Sequence, residues 1–343
     1  MPPRGFARLA APLLALLALV DAGLVIYAVY HAPYPLRVSL GSPTAYLNIY
    51  IHIPMAWGSY LLYTLAFASA ILYLTRGKEK LDAYVRAFVL TGSLYAVFTL
   101  VSGMAWASES WGAAWSWDPR ETGVLLLLLA YILYFVLRSS IPDPDRASRL
   151  SAVYAVAAYS MVPISFLAPR VAASSLHPTV ENFRDFMEQP AVLRVFIARV
   201  LMASVIAVLL SYTLAERLRG EEIPFTRSLR YVGAGLVMLG MVIGFIVASP
   251  YLAGGVERVL GARLVNGSVV ALNLSGSGYV KLAKPLHVQV VDGKPSIIGH
   301  IVRLNGGSVE IVIHWSVALN AAMYMVLLGL LMLYISRLRN STR

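Results

Sequence analysis

The sequence predicts an all-α polytopic membrane helix bundle of about eight spans, with a small extracytoplasmic all-β module between the last two spans. Three observations carry this reading. Of the 343 residues, 59% are hydrophobic and only 13% are charged, whereas a soluble domain averages about 45–50% apolar and about 25% charged residues. Apolar runs of roughly 20 residues, the length that crosses a bilayer core, recur eight times. One stretch near the C-terminus departs from this pattern and alternates polar and apolar residues in short runs. The composition excludes a disordered chain and a conventional soluble globule.

The spans fall near residues 9–30, 53–74, 84–105, 121–138, 150–168, 191–215, 231–250 and 316–336. The first follows Arg4 and Arg8, as a signal peptide would. Its apolar run is long, however, and carries no convincing small-x-small cleavage site, so it reads as a retained span. Asp21 lies inside it. A carboxyl there is costly when ionised and is a functional candidate by default; the alternative is a protonated group or one bonded to a neighbouring helix. Pro163 is placed to kink the fifth span. Arg194 and Arg199 interrupt the first half of the sixth.

The charges then acquire a side. Arg4, Arg8, Arg76, Lys78, Lys80, Arg86, Arg138, Arg146, Arg149, Arg217, Arg219, Arg227, Arg230, Arg337, Arg339 and Arg343 flank alternate span ends, and they make up sixteen of the 28 basic residues. The short loops on the opposite side hold Arg37, Arg120, Arg170 and Arg184. The positive-inside rule puts both termini in the cytoplasm of a multi-pass cell-membrane protein. The net charge of +11 is therefore mainly a topology signal, with attraction to anionic lipid of the bilayer secondary and no nucleic-acid partner implied.

Residues 251–315 hold short apolar runs such as Val269-Val270-Ala271-Leu272, separated by the turn pairs Asn266-Gly267, Ser275-Gly276, Asp292-Gly293 and Asn305-Gly306-Gly307. This is the pattern of about five short strands. Sequons at Asn266 and Asn273 fit an outside location. The chain thus divides into a six-span core over 1–215 with a Trp-rich outer loop, an additional span over 216–250, the outer β module over 251–315, and a closing span with a basic tail over 316–343. No internal repeat is found.

Four of the six tryptophans, Trp106, Trp111, Trp115 and Trp117, fall within twelve residues of one outside loop, WASESWGAAWSWDPRET. An interfacial aromatic belt is the alternative, but a belt spreads its rings over many helix ends. Crowded here with Asp118 and Arg120, the rings offer flat apolar faces and a few hydrogen-bonding groups suited to a large planar ligand. His52 precedes Ile53-Pro54 at the mouth of the second span. His177, followed by Pro178, lies in the outside loop before the sixth. Neutral imidazole is a common metal ligand, although a histidine in a loop is more often unremarkable, and His31, His287, His300 and His314 also fall outside. The chain has no cysteine, which excludes disulfides, thiolate metal sites and thioether attachment of a prosthetic group.

The loop WGAAWSWDPRET resembles the tryptophan-rich "WWD" signature of haem-handling proteins in cytochrome c maturation. IYIHIPMAW around His52 resembles the segment that bears the first haem-ligating histidine of the CcmC family, and PISFLAPRVAASSLHP resembles the segment that bears the second, at His177. The order of the three motifs also matches. The resemblance covers roughly residues 9–215. WASESWG and DPRET lean towards the related CcsA type, whereas IHIPMAW and the compact six-span core favour CcmC. Residues 216–343 depart from the family, which usually stops after six spans. A span followed by an outside β module is similar to the haem chaperone CcmE. None of His287, His300 or His314 has the tyrosine spacing of that chaperone's haem-attaching residue, so a docking or lid domain, or an independent structural domain, is the expectation.

The resemblance implies haem b handling rather than catalysis. It implies His52 and His177 as axial ligands, Trp111, Trp115 and Trp117 packing the macrocycle with Trp106 beside them, and Arg120 and Arg170 pairing the propionates. Asp118 would accept from a tryptophan N–H or orient Arg120. The implied haem is held non-covalently. The implied partners are a haem chaperone of the CcmE type and an ABC-type export complex; this chain has no nucleotide-binding pattern of its own. Two other functions compete. One is a b-type haem electron-transfer subunit, which would place its histidines within helices. The other is a transmembrane haem transporter, which would line its helices with polar or broken segments.

Overall fold

A computed structural model describes residues 5–35, 44–171, 175–177, 184, 188–253, 256–288, 290–291, 294–305 and 308–338. Arg4, Arg37, Pro178, Arg339, Arg343 and the turn glycines Gly293, Gly306 and Gly307, together with Asp292, lie outside the described residues. Nine helices are described: α1 (Gly5–Tyr30), α2 (His52–Arg76), α3 (Glu79–Trp111), α4 (Pro119–Ser140), α5 (Pro144–Ala158), α6 (Met161–Val171), α7 (Pro190–Leu218), α8 (Thr226–Ala253) and α9 (Trp315–Arg337). A 3-10 helix, Thr44–Tyr50, leads into α2. These elements supply eight segments long and apolar enough to cross a membrane, which makes the chain a mostly helical multi-pass membrane protein.

The helix ends follow local chemistry. Gly77 (φ 62°) and Gly112 (φ 82°) close α2 and α3 in the left-handed region, where the absence of a Cβ removes the steric cost. Asp143 accepts from the backbone N–H of Arg146 at 2.6 Å and caps α5. The fifth span is broken into α5 and α6 at Tyr159–Ser160, as Pro163 foretells. Proline has no N–H to offer the Tyr159 carbonyl, and Val162 N–H bonds it instead at 2.9 Å.

The closing helix is not peripheral. Within its most apolar stretch, 67% of α9 is buried inside the protein, against 22% for α8. Its glycine side allows this: Gly329 and Gly233 meet backbone to backbone, and Gly240 faces the Ala322 carbonyl, so α8 and α9 approach closely. Asn320 and Tyr324 of α9 are fully buried in the bundle.

The intramembrane charges also find each other. Asp21 of α1 and Arg199 of α7 are both fully buried and form an ion pair. Tyr324 of α9 donates its hydroxyl to the other oxygen of Asp21. Arg199 Nε donates to the Tyr50 carbonyl at 3.0 Å. Pairing with hydrogen bonds is what makes buried charges tolerable. The interruptions in the first and sixth spans are thus two halves of one contact.

Between α8 and α9 the chain forms a five-stranded antiparallel sheet, order β3-β2-β1-β6-β7, plus a two-residue ladder β4–β5. The strands are β1 (Val256–Val265), β2 (Ser268–Leu274), β3 (Gly278–Leu286), β4 (Val290–Val291), β5 (Lys294–Pro295), β6 (His300–Asn305) and β7 (Ser308–His314). The sheet has the five strands expected, and among the described residues β4 and β5, two residues each, add a ladder too short to show a sequence pattern. Asn266 (φ 49°) and Gly267 (φ 75°) make the tight β1–β2 turn. The Glu257 carboxylate accepts from the N–H groups of Gly276 and Ser277 at 2.7 and 2.6 Å and from the Ser277 hydroxyl, closing the β2–β3 turn. Val259, Val269, Leu272, Leu274, Ile297 and Val302 form the module's own core. Because α9 begins at Trp315 and Ser316 Oγ accepts from Asn48 Nδ2 at 3.0 Å, the module joins the bundle at the same end as His52.

Candidate functional site

His52 is the first residue of α2. Its Nδ1 lies 2.9 Å from Ser102 Oγ, one turn before Trp106 on α3. The Ser102 hydroxyl also lies 3.3 Å from the Thr99 carbonyl. In the tautomer protonated at Nδ1, Ser102 Oγ accepts from the ring and Nε2 keeps a lone pair. Gly103 makes room for the ring: a Cβ there would lie 3.1 Å from His52 Cε1. Trp106 meets His52 edge-on at 5.5 Å between ring centroids, and its other side meets Tyr46 at 5.6 Å.

His177 is held from the opposite side by Asp118, the N-cap of α4. Asp118 Oδ1 accepts from the Arg120 backbone N–H at 2.8 Å and pairs with His177 Nδ1 at 2.7 Å. Its Oδ2 accepts from Ser175 Oγ at 2.8 Å and Leu176 N–H at 2.6 Å. Burial alone would raise the Asp118 pKa. The hydrogen bonds from His177, the Arg120 N–H and the Ser175 hydroxyl outweigh it and hold the carboxyl well below the usual range. An ionised carboxylate can only accept, so His177 Nδ1 carries the proton and Nε2 is again free. The expected roles of Asp118, taking a tryptophan N–H or orienting the Arg120 side chain, give way to capping α4 and fixing His177. The backbone N–H groups at a helix start need an acceptor, and Asp118 is the residue placed to supply it.

The Trp loop folds over that same cap. Glu121 Oε2 accepts from Ser116 N–H at 3.0 Å, Ser116 Oγ at 3.1 Å and Asp118 N–H at 3.3 Å, completing a capping box. Trp111 meets His177 edge-on at 5.1 Å, and Trp115 meets Trp117 at 5.6 Å.

These residues enclose one cavity of about 210 Å³. His52, His177, Trp106, Trp111, Trp115, Arg120 and Arg170 all line it, beside Tyr60, Gly103, Met104 and Phe166. Trp117 does not: with φ 58° its side chain turns outward and is 73% exposed, so the loop presents two of its last three tryptophans to the cavity. Arg120 sits over the Phe166 ring at 5.5 Å and donates to the Phe166 carbonyl at 3.1 Å. Its buried Nε has no hydrogen-bond partner among the described residues. Arg170, at the end of α6, is exposed. Ser102 and Gly103 were not anticipated as site residues. Their spacing of four and three before Trp106 places all three on one face of α3, and that spacing is the signal that identifies them.

Fold and cavity together define a multi-pass membrane protein in which two histidines, from segments 125 residues apart, share a tryptophan-lined pocket. Residues 6–177, half of the chain, match the family described as Cytochrome C assembly protein. Curated relatives include a putative cytochrome c biosynthesis ccmC-like mitochondrial protein of Marchantia polymorpha, 37% identical over 87 residues (25% of this chain, 38% of that protein). Heme exporter protein C of Rhodobacter capsulatus is 27% identical over 154 residues (43% and 64%), and that of Escherichia coli K12 is 29% identical over 120 residues (35% and 49%). The matches thus span 38% to 64% of these relatives' lengths. The chain belongs to the cytochrome c assembly protein family and is of the CcmC type.

Proposed function

We propose that this protein binds haem b non-covalently and presents it for cytochrome c biogenesis. The observation that carries the reading is the shared cavity, which His52 and His177 line together among Trp106, Trp111 and Trp115. No group of three or more His, Asp or Glu side chains that could hold a bare metal ion occurs among the described residues. Two imidazoles suit an iron that brings its four in-plane nitrogens with it. The Nε of Arg120, without a partner among the described residues, and the exposed head of Arg170 fit the two propionates, to which guanidinium binds bidentately. The tryptophan edges and faces supply apolar contact for the macrocycle.

In this role the protein is a carrier rather than an enzyme, and haem is its cargo. With no cysteine to form a thioether, coordination and packing do the holding, so release needs no bond to carbon to break. The positive-inside charge pattern supports placing both termini in the cytoplasm, with the cavity and the β module on the outer face of the cell membrane. The relatives named heme exporter protein C support an ABC-type export complex as one partner, and the family resemblance supports a CcmE-type chaperone as the acceptor. The test is transfer. The haem-loaded protein in lipid nanodiscs is mixed with an apo chaperone of the CcmE type, and the two are separated by affinity tag. Haem appearing on the chaperone is the expected result; haem retained wholly on this protein, with chaperone known to be competent, contradicts the presentation role.

A further inference from the structure

We propose that Asn320 of the closing helix α9 is a positioning residue for His52, so that the C-terminal part of the chain, beyond the residues that match the family, helps build the haem site. This inference rests on the proposed haem-binding reading and adds a residue to it. The need for such a residue is visible at the start of α2. His52 is the first helical residue, and the residue before it, Ile51, supplies no side-chain cap. Something other than a cap must hold the 44–51 segment in place.

Asn320 does so from two directions. Its Nδ2 donates to Asn48 Oδ1 at 2.8 Å and to the Ser102 carbonyl at 3.1 Å. Asn48 in turn donates to Ser316 Oγ on the same helix at 3.0 Å. All four residues are fully buried. One amide therefore ties the 3-10 helix that delivers His52 to the α3 residue whose hydroxyl is hydrogen-bonded to His52 Nδ1. Buried networks of this kind are geometrically demanding, because a lost member leaves its partners unsatisfied. A second tie runs in parallel: Arg199 holds the Tyr50 carbonyl, and the Asp21–Tyr324 contact anchors Arg199 to α9. Outer partners of a ligating histidine fix its ring orientation, and their loss typically costs 10–100-fold in metal affinity.

The full-length protein is purified with haem in detergent, and the wild type, His52→Ala, Asn320→Leu and Leu328→Ala are compared. Leu328 is 2% exposed on the same helix and is outside the amide network, so its truncation reports general loosening of α9. The readouts are the ferric absorption and EPR signatures and the rate of haem loss to an excess of apomyoglobin. The expected result is that Asn320→Leu shows a five-coordinate high-spin fraction and loses haem about tenfold faster, while Leu328→Ala keeps the wild-type spectrum. Where the leucine variant does not yield folded protein, Asn320→Ser, which is smaller and keeps one donor, gives the same comparison. A wild-type spectrum and loss rate in the Asn320 variants, with His52→Ala altered, overturns the positioning role alone. An equal change in Leu328→Ala overturns it too. A wild type without haem, or a His52→Ala indistinguishable from wild type, overturns the underlying reading and this inference with it.

Discussion

Asp118 Oδ1 and His177 Nδ1 lie 2.7 Å apart, and the carboxylate side chain is fully buried. That contact joins a helix cap to a candidate metal ligand. The same side chain that satisfies the start of α4 holds Nδ1 of His177, whose ring lines the cavity. Loop, helix and ligand are therefore set by one residue.

Asp118→Asn separates the two roles. Asparagine is as good an N-cap as aspartate, so the helix start is kept. The amide can meet the ring with either an N–H or an oxygen, and the fixed tautomer is lost. Haem affinity, measured by absorption titration of the apo protein, falls about 10–100-fold, while the far-UV circular dichroism stays that of the wild type.

The pH dependence of the same pair has a definite sign. The Asp118 carboxyl titrates below its unfolded value of about 3.9. Its contribution to stability is present above that value and is lost as pH falls towards the folded pKa. Thermal unfolding in detergent then shows wild type more stable than Asp118→Asn at pH 5, with the gap narrowing below about pH 4. A gap that widens in acid contradicts this assignment.

Gly103→Ala moves ligation and stability in different directions. Replacing a mid-helix glycine gains roughly 0.5–1 kcal/mol of helix stability. The new methyl carbon lies 3.1 Å from His52 Cε1, so the ring must shift by a few tenths of an ångström. The melting temperature holds or rises slightly, while the haem absorption spectrum departs from that of the wild type.

The Asp21–Arg199 pair behaves as a unit. Arg199→Leu alone leaves a buried carboxylate without its cation and costs about 3–5 kcal/mol. The double variant Asp21→Leu/Arg199→Leu removes both charges and recovers most of that loss. A double-mutant cycle on thermal stability reads the coupling directly.

The spans were legible because a membrane leaves few ways to satisfy a backbone, and long apolar runs declare themselves. The site was legible as a set of residue types but not as roles. Trp115 and Trp117 look alike in sequence; the left-handed backbone at Trp117 is what sends one inward and the other to the surface. Asp118-Pro119-Arg120-Glu121 carries a capping-box spacing, so the cap is written in the sequence, whereas the second contact of Asp118, with His177, is made across 59 residues and has no local signal. Asp21 and Arg199 were each conspicuous, but 178 residues apart nothing local pairs them. Ser316, Asn320 and Tyr324 repeat every four residues in an apolar helix, a polar stripe that marks α9 as an interior helix.

The most direct measurement is the ferric and ferrous absorption spectrum of the full-length protein purified from haem-replete cells, beside His52→Ala and His177→Ala. Two-histidine ligation in the Trp-lined cavity predicts a six-coordinate low-spin haem in the wild type and its loss or conversion to high spin in each variant. A wild type free of haem, or a spectrum unchanged when both histidines are removed together, contradicts it.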